Sequence, residues 1–102
     1  MASPTENWTD LRARVLRRVP TERQGFVPLE VEVDALLPVE GFVSLPKSVV
    51  ATTMVLMLHE ETLIRAGLQE GDRLEARVRR GLNPRQLFAD ERTVRKAARE
   101  TR

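Results

Sequence analysis

Residues 56–81 read LMLHEETLIRAGLQEGDRLEARVRRG. The first four extend an apolar run, so the segment predicts a strand that ends at His59. Residues 60–66 then favour one or two helical turns. Gly67 follows where a left-handed residue closes a helix. Gly71-Asp72 is a turn pair. Beyond it Leu74, Ala76 and Val78 alternate with Arg73, Glu75, Arg77 and Arg79. That period of two predicts a half-buried strand with a charged outer face.

Upstream, Leu29, Val31, Val33 and Ala35 alternate with Glu30, Glu32 and Asp34, which predicts a strand over residues 25–37. Residues 38–41 form a turn, and residues 42–45 start another strand that Pro46 ends. QGFVPL at 24–29 and EGFVSL at 40–45 are too short for a repeat and read as two similar strand starts. Residues 49–58 are apolar on both faces, a buried or an interface strand. Residues 87–89 supply a closing strand. Residues 1–7 read as disordered. Leu11, Val15 and Val19, spaced i, i+4, i+8, predict a short amphipathic helix capped by Thr9 or Asp10 and stopped by Pro20. The other reading of 13–19 is an irregular edge strand. The chain thus divides into an N-terminal extension (1–24), a β domain (25–90) and a basic tail (91–102). Its expected core is Val31, Val33, Leu45, Val55, Leu63, Leu68, Leu74, Ala76 and Val78.

At 102 residues the chain is sized for one domain with a modest core. Cysteine is absent, which excludes disulfides and thiolate metal sites and suits a reducing cytoplasm. No apolar run approaches the ~20 residues of a membrane helix, so no membrane role is expected. Net charge is +2 but unevenly spread. Residues 1–24 hold five arginines against three acids, residues 25–75 three bases against nine acids, and residues 76–102 nine bases against three acids. A basic end on an acidic body suits an anionic partner. Catalysis finds little support: there is one histidine, no tyrosine, no nucleophile elbow and no glycine-rich phosphate loop.

The segment from His59 to Gly81 resembles the second half of a cold-shock domain, a small five-stranded OB-type barrel. His59, Leu63, Ala66, Gly67, Leu68, Glu70, Gly71, Leu74, Val78 and Gly81 follow that family's order. Residues 56–59 fall where the family has Val-Phe-Val-His. Gly41-Phe42 falls in its Lys-Gly-Phe-Gly-Phe-Ile motif. The resemblance implies an all-β, OB-like barrel with a short helical turn that binds nucleic acid by stacking bases on exposed aromatics. Most of those aromatics, and the lysines that grip phosphates beside them, are replaced here: Asp34-Ala35-Leu36 stands for Lys-Trp-Phe, Glu40 for a lysine, and Ser44 and Met57 for phenylalanines. A second resemblance, to the swapped-hairpin AbrB-type DNA-binding domain, rests on Leu45-Pro46-Lys47, Gly67-Leu68 and Gly71-Asp72. The interval between its two halves is about twice what that family has.

Phe42 and His59 remain as stacking candidates. Arg73, Arg77 and Arg79 share a strand face and, with Arg80 and Arg85, are the phosphate-contact candidates. His59-Glu60-Glu61 is a poor metal set, because adjacent side chains diverge, and no cofactor is implied. The expectation is a non-enzymatic regulator or accessory factor that binds single-stranded nucleic acid or DNA. The alternative is a protein-interaction module, favoured by Glu30, Glu32, Asp34 and Glu40. Some of Val49, Val50, Met54, Leu56 and Leu58 (residues 49–58) are then expected to meet a protein partner, a second copy as a homodimer, or the N-terminal extension near Trp8 and Leu11.

Overall fold

The computed structural model describes residues 7–21 and 25–97. Its elements are β1 (Thr9–Arg18), β2 (Phe26–Pro38), β3 (Thr53–His59), α1 (Glu60–Ala66), β4 (Arg73–Arg80), β5 (Gln86–Ala89) and β6 (Arg95–Lys96). The strand order is β1-β2-β3-β5-β4, and β4 pairs back onto β1. The β3–β5 pairing is parallel, whereas β1–β2, β2–β3, β4–β5 and β1–β4 are antiparallel. The result is a closed five-stranded barrel of OB type, with a short helix between β3 and β4. Every barrel strand finds its partners within this one chain, which differs from a swapped hairpin. Two-residue β6 lies beside the first half of β4 and β5 beside the second.

Alternation fills the interior. Leu11, Ala13 and Val15 of β1, Leu29, Val31 and Val33 of β2, and Leu56 and Leu58 of β3 point inward, as do Leu74 and Val78 of β4 and Leu87 of β5. Leu63 and Leu68 join the cluster from α1 and the turn after it, Leu45 from the β2–β3 connection, and Val94 from the C-terminal segment. Seven residues are too few for an isolated helix. Burial of Thr62 and Leu63 holds α1, and Gly67 at φ 66° ends it by donating its N–H back to Ile64 and Leu63.

Several expectations need correction. The helix predicted from Leu11, Val15 and Val19 is strand β1, integral to the barrel rather than an extension. A spacing of four is even, so it fits a strand as well as a helix, and buried Ala13 completes the alternation. Residues 42–45 form no strand and make a single bridge, Val43 to Asn7. Val55 points outward while Met54 and Leu56 point inward, because an apolar run on both faces hides its own phase. The tail is not loose over residues 91–97. Val94 is 1% exposed, and Arg95 and Lys96 pair with Glu75 and Asp72. Of residues 1–7, expected to be disordered, Asn7 is instead placed by its bridge to Val43 and its hydrogen bonds with the Arg80 backbone, and residues 1–6 lie outside the described residues, as do 22–24 and 98–102.

Candidate nucleic-acid interface

Side chains that alternate with the core ones make cross-strand rows on the outer face of the barrel. One row runs through four strands in register: Pro28 of β2 opposes Met57 of β3, Met57 opposes Phe88 of β5, and Phe88 opposes Arg79 of β4. Met57 is buried although it faces outward, and Phe88 is half-buried. The Arg79 guanidinium lies 5.1 Å from the Phe88 ring centroid, within cation–π range. Two residues along, Phe26 of β2 opposes His59 of β3. Their rings are 4.3 Å apart and inclined by 34°. Strand and residue spacings put Phe26 and Phe88 roughly 12 Å apart, at two ends of an apolar strip.

His59 is held from several sides. Its backbone N–H donates to Glu91 Oε1 at 3.0 Å, and its Nδ1 lies 3.3 Å from Glu91 Oε2. Thr62 Oγ1 donates to the same carboxylate. The helix start, the C-terminal segment and the ring pair are therefore tied together. Phe42 is elsewhere. It sits in the β2–β3 connection, where its N–H donates to Val39, and it is not paired with His59. Sequence reasoning missed both Phe88, read only as part of a closing strand, and Phe26. Phe26 carries the same Gly-Phe-Val triplet as Phe42, and strand register selects it as the histidine's neighbour.

The arginines divide into committed and uncommitted groups. Arg12 pairs with Glu75, Arg14 with Glu32, Arg17 with Glu30 and Arg18 with Glu60. Two of the acids that favour the protein-interaction alternative, Glu30 and Glu32, are thereby paired and would repel phosphate less. Arg77 grips Asp10 through Nε at 2.9 Å and Nη2 at 3.3 Å. That hydrogen bond, reinforced by the carboxylate's charge, raises its pKa further above the ordinary arginine value. Arg77 is thus a brace between β1 and β4. Arg73 lies at the far end of β4, opposite Arg14. Arg79, Arg80 and Arg85 have no carboxylate partner among the described residues and gather at the β4–β5 hairpin. Fully exposed Leu82 shares that hairpin. The expected arginine set is therefore split, with Arg79 against Phe88 and Arg80 and Arg85 at the same hairpin.

Among the described residues, no three His, Asp or Glu side chains converge as metal ligands, and no helix is long and apolar enough to cross a membrane. No protein-family model matches this chain, and no curated protein matches it.

Proposed function

We propose that this chain is a non-enzymatic, cytoplasmic single-stranded nucleic-acid-binding protein. Its interface is the outer face of β2, β3 and β5 together with the β4–β5 hairpin. The observation that carries the reading is the register row ending in Phe88 and Arg79, with Arg80 and Arg85 on the adjoining hairpin. OB-type barrels offer oligonucleotides their second and third strands and the flanking loops. Single strands are held by aromatic stacking plus backbone charge contacts, and both occur together here. The cold-shock-like part of the reading is supported by the order of strand, histidine, helix, glycine turn and strand over residues 59–78, with Phe26 as the aromatic beside His59. Fluorescence anisotropy with labelled single-stranded DNA, single-stranded RNA and a duplex tests it. Saturable single-strand binding that Phe26→Ala and Phe88→Ala each weaken by about 5- to 150-fold is expected, from ~1–3 kcal/mol per stacked base. Absence of saturable binding to either single strand refutes it.

One observation favours the second reading, protein docking. Leu37, Phe42, Val43 and Val50 are all exposed in or near the β2–β3 connection. Met54, Leu56 and Leu58 are used in the core, and β3 is paired on both edges. Of the apolar side chains once assigned to a partner, Val50 is the one left at the surface. A docking surface, whether for a second copy or another protein, therefore centres on this connection. Sedimentation of the chain and of a Phe42→Ser/Val43→Ser variant checks the homodimer form, which requires a dimer that the variant disrupts.

A further inference from the structure

A groove of about 450 Å³ lies on the outer face of β1 and β4, on the side of the barrel away from the β3–β5 pairing. Two cross-strand rows build it. Leu37, Asp10 and Arg77 form one, and Ala35, Arg12, Glu75 and Arg95 the other. The C-terminal segment closes one side with Val94, and Arg65 reaches in from α1. The size falls within the range of small-molecule sites.

Charge in the groove is not balanced. Five guanidinium groups (those of Arg12, Arg65, Arg77, Arg92 and Arg95) line it against the two carboxylates of Asp10 and Glu75, with Asp90 just outside pairing Arg92 at 3.5 Å, which leaves two positive charges in excess. Asp10 is taken by Arg77. Glu75 is shared: Arg12 Nε lies 2.8 Å from one oxygen and Arg95 Nε 2.9 Å from the other. A guanidinium carries five N–H donors, so an Nε contact leaves most of each fork unspent. Arg65 Nη2 donates to the carbonyls of Glu91 and Val94 at 2.8 and 3.4 Å, contacts that orient its charge without cancelling it. Arg65, held in place beforehand by those carbonyls, loses little entropy when it takes an anion, and the planar forks of all three arginines match phosphate oxygens. A concavity lined by excess charge of one sign also concentrates counter-ions.

We propose that this groove binds the phosphates of a small organic polyphosphate of nucleoside-diphosphate size. Arg12, Arg95 and Arg65 supply the contacts, and Leu37, half exposed, offers an apolar edge for the organic part. Glu75 acts as the competing internal anion, so the ligand binds by drawing two arginines away from it. The site is separate from the nucleic-acid face and does not depend on that reading.

Calorimetric titration of the full chain with ADP and with inorganic pyrophosphate, at low salt, tests the proposal. One saturable site is expected, weakening as salt rises. Arg12→Gln with Arg95→Gln should weaken it by at least about a hundredfold, roughly tenfold per charge-assisted contact. Glu75→Gln should tighten it, because the competing carboxylate charge is gone. Far-ultraviolet circular dichroism establishes that each variant is folded, and single-stranded oligonucleotide binding should be unchanged in both. Equal affinity for ADP and pyrophosphate assigns recognition to the phosphates alone, whereas tighter ADP binding adds the apolar edge. No saturable heat with either probe overturns the proposal. So does unaltered binding in the double arginine variant, or weaker binding in folded Glu75→Gln.

Discussion

Gly81→Ala is an uncharged change of one methyl group, and the structure assigns it a specific victim. A Cβ built at Gly81 lies 2.7 Å from Phe88 Cε2 and 3.3 Å from Cδ2. Ordinary contact begins near 3.4 Å, so the ring must retreat by about 0.7 Å. Overpacking a tight core costs ~1–3 kcal/mol. Phe88 is half-buried on the outer face and has solvent to move into, so the low end applies, about 1 kcal/mol. Part of that is weakened contact with Arg79, since cation–π pairs contribute ~0.5–1 kcal/mol at exposed sites. In a domain of this size the melting temperature should fall by roughly 4–8 °C. A displaced ring also forfeits part of the ~1–3 kcal/mol available from stacking a base, so single-strand affinity should drop about fivefold. No charge has moved, so the salt dependence of binding should not change. Thermal denaturation followed by circular dichroism and anisotropy titrations at two salt concentrations read all three quantities. An unchanged melting temperature with unchanged affinity would show that Phe88 is not held against Gly81 and takes no part in binding.

Leu74 is fully buried on β4 between β1 and β6, and Leu74→Ala should destabilise the barrel by ~2–5 kcal/mol in urea unfolding. A loss under about 1 kcal/mol would contradict the register of β4. Arg77→Gln should leave the salt slope of oligonucleotide binding unaltered, because its charge is committed to Asp10. By contrast, Arg80→Gln with Arg85→Gln should lower that slope by ~1–2 units. The reverse pattern in the same titrations would place the phosphate contacts on β4 rather than on its hairpin.

Strands β2 and β4 are legible because one side of each faces charge and the other the core. The turn glycines and α1 are legible for local reasons as well. Strand β1 is not, since Leu11 and Val15 satisfy both periods and only burial of Ala13 decides between them. The phase of β3 is hidden because Met57 is covered on the outside by neighbouring strands. Of the proposed interface, local pattern points to His59, Arg79, Arg80 and Arg85. It selects Phe42 rather than Phe26 and gives no sign of Phe88, because pairing register is not local information. Arg77 looked available for the same reason: its partner Asp10 is 67 positions away along the chain. Val94 sits in a polar stretch, and nothing nearby signals that it completes the core.

The central claim is that single-stranded nucleic acid is held by stacking plus a small set of uncommitted arginines. The slope of log Kobs against log salt for a single-stranded oligonucleotide tests it most directly. Arg79, Arg80 and Arg85 lack carboxylate partners among the described residues, and three phosphate contacts give a slope of about −2 at ~0.7 per contact. The account predicts that slope, residual binding at high salt from stacking on Phe26 and Phe88, and weaker binding to a duplex. A slope near zero, or tighter binding to the duplex, would contradict it.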